Sequence, residues 1–141
     1  MPLNDAFYST WTPRVQALLR IVTAYLFITH GTAKHFGMPH VAMFDNLQVF
    51  SLIGVAGLIE LVGGVLVLLG LFTRPAAFII SGEMAFAYFI GHAGQGFVLV
   101  PMLNRGELAV LYCFLFLFFA AAGPGAWSLD GLRGRRTAVA L

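Results

Sequence analysis

Three ionisable side chains interrupt long apolar stretches of this chain: Arg20, Glu60 and Glu83. Glu60 is the only charged residue in the run 52–72, which is long enough to cross a bilayer as a helix. A charge at such depth is costly unless it is paired, protonated or facing water, so charged residues inside membrane helices are candidates for function. One arginine neutralises only one carboxylate, so the second carboxyl is expected to hold a proton and to exchange it. These residues therefore predict a proton-handling site.

The helical rise indicates how deep these groups would lie. Arg20 and Glu83 would lie about 9 and 12 Å from one membrane face, and Glu60 about 18 Å from it. Because an arginine side chain extends several ångströms, we expect Arg20 to bridge to Glu83 and to approach Glu60. The alternative is an Arg–Glu pair that only fixes helix packing. Four glycines around Glu60 would let a neighbouring helix come close: Gly54, Gly57, Gly63 and Gly64.

A second group of polar residues lies near the last predicted loop. Tyr88 and His92 are four residues apart, so they would share one face of a continuing helix. Together with Asn104 they would line a pocket that suits a quinone headgroup. The alternative is that these aromatic residues belong to the belt of side chains at the membrane interface.

The remaining reactive residue types exclude several cofactors. The spacing of His30, His35 and His40 matches no compact metal site, so no metal is predicted. Cys113 is the single cysteine, so neither an internal disulfide nor a CxxC redox motif can form. No glycine-rich nucleotide loop and no CxxCH haem motif is present, so neither flavin nor haem is predicted. A cofactor would have to be lipid-soluble, as a quinone is, or be carried by a partner.

The elements that position these residues are predicted to be membrane helices. The chain has 141 residues, of which 60% are hydrophobic and only 10% charged, too few charges for a soluble domain. We predict a single all-α domain, an integral-membrane bundle of four transmembrane helices with short loops. The spans are expected at about residues 14–31, 52–72, 75–91 and 107–122. Thr12-Pro13 is a helix-start signal for the first span, and Gly123-Pro124-Gly125 would end the last.

The distribution of basic residues predicts the orientation of this bundle. One face would carry Arg14, Arg74, Arg133, Arg135 and Arg136, with Arg20 nearby, and the other Lys34 and Arg105. This excess predicts that both termini are cytoplasmic. The N-terminal residues lack the pattern of a cleaved signal peptide, so the first span would insert uncleaved. The net charge of +2 is too small to indicate a nucleic-acid partner.

Several short pieces of sequence occur in a characteristic order. They are Arg20, Gly31-Thr32-Ala33-Lys34, Glu60-Leu61-Val62-Gly63-Gly64, Leu69-Gly70-Leu71-Phe72-Thr73-Arg74-Pro75, Gly91-His92, Asn104-Arg105-Gly106-Glu107 and Gly123-Pro124-Gly125-Ala126-Trp127-Ser128-Leu129-Asp130. With these pieces the chain resembles the DoxX family of small bacterial membrane proteins over about residues 14–130. Arg105 is a departure, because relatives often have glycine there.

The resemblance implies a four-helix bundle in the bacterial inner membrane. Family members look like the DoxD-type subunit of thiosulfate:quinone oxidoreductase or are linked with thiol and oxidative-stress systems. The site residues that it implies are Arg20, Lys34, Glu60, His92, Asn104 and Glu107. Glu107 also has a structural interpretation, since a carboxylate is favourable at a helix N-terminus.

Three functions follow from these observations. The first is a quinone-linked redox membrane subunit, in which the buried charges handle the proton and Tyr88, His92 and Asn104 line the headgroup pocket with Lys34 and Glu107. The second is a non-catalytic scaffold that anchors soluble redox enzymes. A weaker third is a small-solute transporter, against which the chain shows no inverted repeat. The expected partners are the lipid bilayer, a soluble redox protein and a second copy of the chain.

Overall fold

The computed structural model describes residues 5–139, with side chains described as far as residue 134, so the side chains of Arg135 and Arg136 lie outside the described part. Every regular element in this range is helical, and no strand occurs within it. The helices are α1 (Asp5–Phe36), α2 (Leu52–Leu69), α3 (Thr73–Ala87), α4 (Glu107–Ala122) and α5 (Leu129–Val139). The predicted all-α class is confirmed.

Helices α1 to α4 share one apolar core. Phe27 of α1, Val67 of α2, Ile80 of α3 and Phe116 of α4 are each buried within it. Two stretches are long and apolar enough to cross a membrane as helices: Leu52–Leu69 and Thr73–Gln95. The second consists of α3, a π-helical turn over Tyr88–His92 and a short 3₁₀ turn over Ala93–Gln95. α4 is similarly apolar but shorter.

Helix α1 is longer than predicted at both ends. The prediction that it starts at Pro13 is wrong, because the helix begins by Asp5 and contains Pro13. Proline lacks an N–H and so removes one intrahelical hydrogen bond, while its carbonyl accepts the N–H of Ala126 at 2.8 Å. The helix also continues past Gly31 to Phe36. Lys34, expected in a loop, therefore lies on α1.

The other helix ends follow local signals. Ser51 caps α2 by accepting the N–H of Gly54, and Gly70 ends it with φ 64°, a left-handed conformation that glycine adopts without strain. α3 begins almost at once, at Thr73. α4 has the predicted bounds and ends at Gly123. Arg105 has φ 59°, a left-handed backbone conformation that favours glycine.

Two opposite ends of the molecule are named here by their connections. The turn end carries the α2–α3 turn and the α4–α5 connection, residues 123–128. The loop end carries the α1–α2 loop, residues 37–51, and the α3–α4 loop, residues 93–106. α1 and α2 are antiparallel, because Arg20 contacts Val67 near the turn end whereas His35 contacts Gly54 near the loop end.

Candidate functional site

At the turn end, a fully buried guanidinium joins separate parts of the chain. Arg20 donates to the carbonyls of Val67 and Leu68 at the end of α2, over 2.6 and 2.5 Å. It also donates to the carbonyls of the α4–α5 connection at Pro124, Ala126 and Trp127. The last carbonyls of a helix have no partner within that helix. Arg20 therefore caps α2 and fastens it to the connection.

Arg74 and Asp130 satisfy two further helix ends. Arg74 donates to the last carbonyls of α4, those of Ala120, Ala121 and Ala122. Asp130 accepts the N–H groups of Phe72 and Thr73, both at 2.9 Å, at the start of α3. Burial alone would raise the pKa of Asp130, but these hydrogen bonds and the charge of Arg133 outweigh burial and hold the pKa below its ordinary value of 3.8. The turn end is thus a network in which charged groups complete backbone hydrogen bonding.

The predicted bridge from Arg20 to Glu83 or Glu60 is wrong. The hydrogen bonds of Arg20 all go to backbone carbonyls, and its partner Val67 lies about 10 Å along α2 from Glu60. A guanidinium has five N–H donors, which match a group of unpaired carbonyls where a helix ends. The prediction placed Arg20 by depth alone and took no account of the carbonyls at the end of α2.

In the half of the core nearer the loop end, Lys34 of α1 and Glu60 of α2 form a buried ion pair. Lys34 Nζ lies 2.5 Å from Glu60 Oε1, and the two side chains are 12% and 3% exposed. Taking two charges out of water is expensive, and their attraction compensates only if their remaining polar atoms also find partners. The second oxygen of Glu60, Oε2, is buried without one. This pair is therefore not fully satisfied by the protein.

Further unsatisfied polar groups surround the pair. Glu83 of α3 has a buried oxygen without a partner and lies within electrostatic range of Glu60 and Lys34. Tyr112 of α4 is within electrostatic range of Glu60, and its ring packs edge-on against His30 of α1, with centroids 6.0 Å apart. Among the residues that the structure describes, neither Tyr112 nor His30 has a side-chain hydrogen-bond partner. We call these five residues, contributed by four helices, the buried cluster.

The chemistry available to the buried cluster follows from its composition. One ammonium faces two carboxyl groups, so charge balance in a low-dielectric site requires one proton on a carboxyl. The imidazole of His30 and the hydroxyl of Tyr112 add groups that can donate or accept. The cluster can therefore hold a proton and can hydrogen-bond a polar guest. Its donors and acceptors suit a quinone headgroup, whose oxygens accept hydrogen bonds when oxidised and carry protons when reduced.

The close approach of α1 and α2 brings Lys34 to Glu60. A Cβ atom on Gly57 would lie 2.7 Å from His35 Nε2 and 3.1 Å from Lys34 Cβ, so a larger residue would push the helices apart. His35 Nε2 also lies 2.9 Å from the carbonyl oxygen of Gly54. The predicted close helix approach on the glycine side of α2 is confirmed, and it positions the ion pair.

Tyr88, His92 and Asn104 are brought together, as predicted, but their polar atoms serve the loop backbone. The Tyr88 and His92 rings stack, and Asn104 Nδ2 donates to the Tyr88 hydroxyl over 3.1 Å. The Tyr88 hydroxyl donates to the carbonyl of Val98, and Asn104 Oδ1 accepts the N–H of Gly106. His92 Nδ1 lies 3.1 Å from the Asn104 carbonyl oxygen. These contacts organise the α3–α4 loop, and binding of a headgroup by these residues stays a prediction.

The other predicted site residues separate from this group. Glu107 is exposed at the start of α4, where its charge is favourable beside unpaired N–H groups. Lys34 belongs to the buried cluster instead. No group of three or more His, Cys, Asp or Glu side chains within the described residues is placed to hold a metal ion.

Sequence reasoning missed two members of the buried cluster and the pairing of a third. From the sequence, His30 is considered only as a metal ligand, Tyr112 is assigned to no site, and Lys34 is expected beyond the end of α1. A usable signal was present, since His30 and Lys34 are four residues apart and would share a face if the helix continued past Gly31. A glycine in a membrane helix often marks a helix contact, and Gly31 does so here, since a Cβ on it would lie 2.7 Å from Leu61 Cγ.

Several known proteins are similar in sequence to most of this chain. A protein of Haemophilus influenzae, named only as uncharacterized, is 52% identical over 122 residues, which are 85% of this chain and 91% of the relative. "Inner membrane protein YqjF" of Escherichia coli is 30% identical, over 83% of this chain and 90% of that protein. "Putative oxidoreductase CatD" of Bacillus subtilis is 32% identical, over 80% and 82%. No solved structure matches the chain.

The family assignment rests on both kinds of match. The family model described as DoxX matches residues 15–93, which include most of α1, all of α2 and α3, and four of the five residues of the buried cluster. The relatives extend the similarity over most of the chain, and they include a protein named as an inner membrane protein. The chain therefore belongs to the DoxX family of membrane proteins.

Proposed function

We propose that this protein is the membrane subunit of a quinone-linked redox system and that the buried cluster is its proton-exchanging site. One observation carries the proposal: a buried Lys34–Glu60 pair is surrounded by polar atoms that the protein leaves without partners. Unsatisfied buried polar groups cost free energy, so a stable protein retains them where a ligand or proton completes the set. The name of the Bacillus subtilis relative points to the same class of chemistry.

Four residues of the cluster have a role in this proposal. Lys34 and His30 would donate hydrogen bonds to the headgroup, and Lys34 also holds Glu60 in place. Glu60 and Glu83 share a proton that one of them passes on and later regains. A bound quinone would supply the carrier of two electrons and two protons, and a soluble redox partner would supply the electrons. Arg20 positions α2 from the turn end and does not touch the reacting groups.

The proposal includes a topology. We infer that α1, α2, α3 and α4 all cross the inner membrane as one domain, with both termini in the cytoplasm. The basic residues of the turn end, including Arg14, Arg74 and Arg133, favour that side. The buried cluster then lies in the outer half of the membrane. The test labels Gly131→Cys and Asp45→Cys, each as the single cysteine of the chain, with a membrane-impermeant maleimide in intact cells. Asp45→Cys should react first. Faster reaction of Gly131→Cys would contradict this topology.

The test is the quinone content of protein purified in a mild detergent. Mass spectrometry should find quinone in stoichiometric amount with the wild-type chain. Glu60→Gln preserves shape and removes the charge, so its affinity for quinone should fall at least about tenfold, the change that about 1.4 kcal/mol of binding free energy produces, and its quinone content should fall clearly below one per chain. Asp45→Asn makes the same chemical change at an exposed loop position and should retain the wild-type content.

The outcome separates this function from the alternative. Wild-type protein without quinone, or equal quinone in Glu60→Gln, would contradict the proposed site. A reproducible soluble partner without quinone would favour a scaffold. One observation makes the scaffold the second candidate: α5 is fastened to the start of α3 through Asp130, so the turn end presents a firmly held helix after the last apolar one.

A further inference from the structure

The α3–α4 loop exposes an unusual amount of apolar surface. Phe97, Leu99 and Met102 are 72%, 93% and 66% exposed. The segment 93–104 contains no charged residue, and Arg105 is the first after it. Large exposed apolar patches mark contact with another molecule or with a membrane.

Several backbone groups of this loop are hydrogen-bonded within it or to neighbouring side chains. Three N–H groups find carbonyls within the loop, each at 3.0 Å: Val100 to Phe97, Leu103 to Val100, and Gly106 to Pro101. Two further contacts come from side chains, since the Tyr88 hydroxyl donates to the Val98 carbonyl and Asn104 Nδ2 to the Phe97 carbonyl. Part of the polar main chain thus has partners within the loop, while the large apolar side chains are exposed.

An exposed apolar surface without charged residues fits hydrocarbon. The hydrogen bonds within the loop lower the cost of placing its non-helical backbone beside lipid. The loop also continues the exposed apolar surface of the neighbouring helices at Phe89, Ile90 and Leu108.

The other loop at the same end differs in this respect. The α1–α2 loop contains a contact of 3.0 Å between His40 Nε2 and Asp45 Oδ1, and the two side chains are 69% and 55% exposed. An exposed carboxyl group of this kind belongs in water, because transfer of a carboxylate into lipid would be costly. The loop end therefore has one loop suited to water and one suited to lipid.

We propose that the α3–α4 loop inserts into the outer leaflet, where lipid acyl chains cover Phe97, Leu99 and Met102. The interaction between Tyr88 and Asn104 holds the loop backbone in the closed form that insertion requires. This inference does not depend on quinone binding, since it concerns a different surface and different residues.

The test places one tryptophan in the loop of the full chain, in a background in which Trp11 and Trp127 are phenylalanine. Leu99→Trp protein is reconstituted into phosphatidylcholine vesicles whose acyl chains are brominated near the middle. Its fluorescence should be quenched relative to vesicles of the unbrominated lipid, and soluble iodide should quench it little. Asp45→Trp is the matched loop control and should show the opposite pattern, while Val62→Trp on α2 serves as the lipid-exposed reference.

A second probe guards against a variant that fails to fold. Phe97→Trp should behave as Leu99→Trp does, and adding Tyr88→Phe should reduce its quenching by brominated lipid because the Val98 carbonyl loses its partner. Quenching of the loop probes by iodide but not by bromine would overturn the proposal by placing the loop in water. Protection from both quenchers would also overturn it, because a second copy or another protein would then cover the loop.

Discussion

The two ends of this molecule use buried charge in opposite ways. At the turn end, Arg20 makes five hydrogen bonds, all to backbone carbonyls. In the buried cluster, Glu60 has one ammonium partner and one oxygen with none, and Glu83 also has an oxygen without a partner. Both regions hold charges in an apolar setting. Only at the turn end do the charged side chains complete their hydrogen bonds within the protein, although the buried hydroxyl of Thr73 there has no partner among the described residues.

This difference separates a structural role from a functional one. A charge whose donors all meet unpaired carbonyls fixes the ends of helices and has no capacity left for a ligand. A charge pair with unsatisfied neighbours is costly to retain and can change its partners or its protonation. Burial of an ionisable residue in a membrane helix is therefore not enough to assign function, and the inventory of its partners decides between the two.

The largest expected effect is the loss of Arg20. Arg20→Met leaves several buried carbonyls of α2 and the α4–α5 connection without donors, and each such group costs about 1–3 kcal/mol. The protein should lose most of its thermal stability in detergent and much of its level in membranes. Arg20→Lys should recover only part of the stability, because an ammonium cannot reach the same set of carbonyls as a planar guanidinium. If Arg20→Met kept the stability of the wild type, Arg20 would not have the structural role that distinguishes the turn end from the buried cluster.

A double-mutant cycle on Lys34 and Glu60 measures how much the buried ion pair contributes to stability and to quinone binding. Lys34→Met leaves a buried carboxylate unpaired and should destabilise by about 3–5 kcal/mol, whereas Lys34→Met with Glu60→Gln should recover most of that loss. Thermal unfolding of the four proteins in detergent gives the coupling, and quinone content is measured in parallel. The double variant should be stable but lack quinone. A stable double variant that still binds quinone would make the pair structural.

The smallest effect is the pH dependence of Asp130. Folding lowers the pKa of this carboxyl, so its contribution to stability is fully present above the ordinary value of 3.8 and is lost as the pH falls through the lower folded value. Asp130→Asn should cost about 1 kcal/mol at neutral pH, as the loss of a helix cap does.

The readout is the difference in melting temperature between wild type and Asp130→Asn as a function of pH. This difference should shrink below about pH 4, because the wild-type carboxyl is then increasingly protonated and, like asparagine, carries no charge. A difference that stays constant down to the lowest accessible pH would show that the charge of Asp130 does not stabilise the start of α3.

Much of the fold was predictable because local signals in this chain are strong. The bounds of α4 follow from an apolar run with Glu107 at its start and Gly123 at its end, and the glycines of α2 predicted a close helix contact. The limits of α1 were not predictable in the same way. Pro13 and Gly31 favour helix ends by local propensity, but tertiary contacts carry the helix past both.

The helical class, the apolar helices and the presence of carboxyls within them could be predicted from the sequence, because composition and periodicity report the environment of each segment. The family could be predicted from the order of its short motifs. Which charges meet depended on the folded arrangement of the helices. Arg20 was assigned to the carboxylates by depth alone, yet it lies against the carbonyls at the end of α2, and Lys34 faces Glu60. Pairing depends on the rotation and approach of helices that are distant in sequence, and neither a hydropathy pattern nor a count of charges records those quantities.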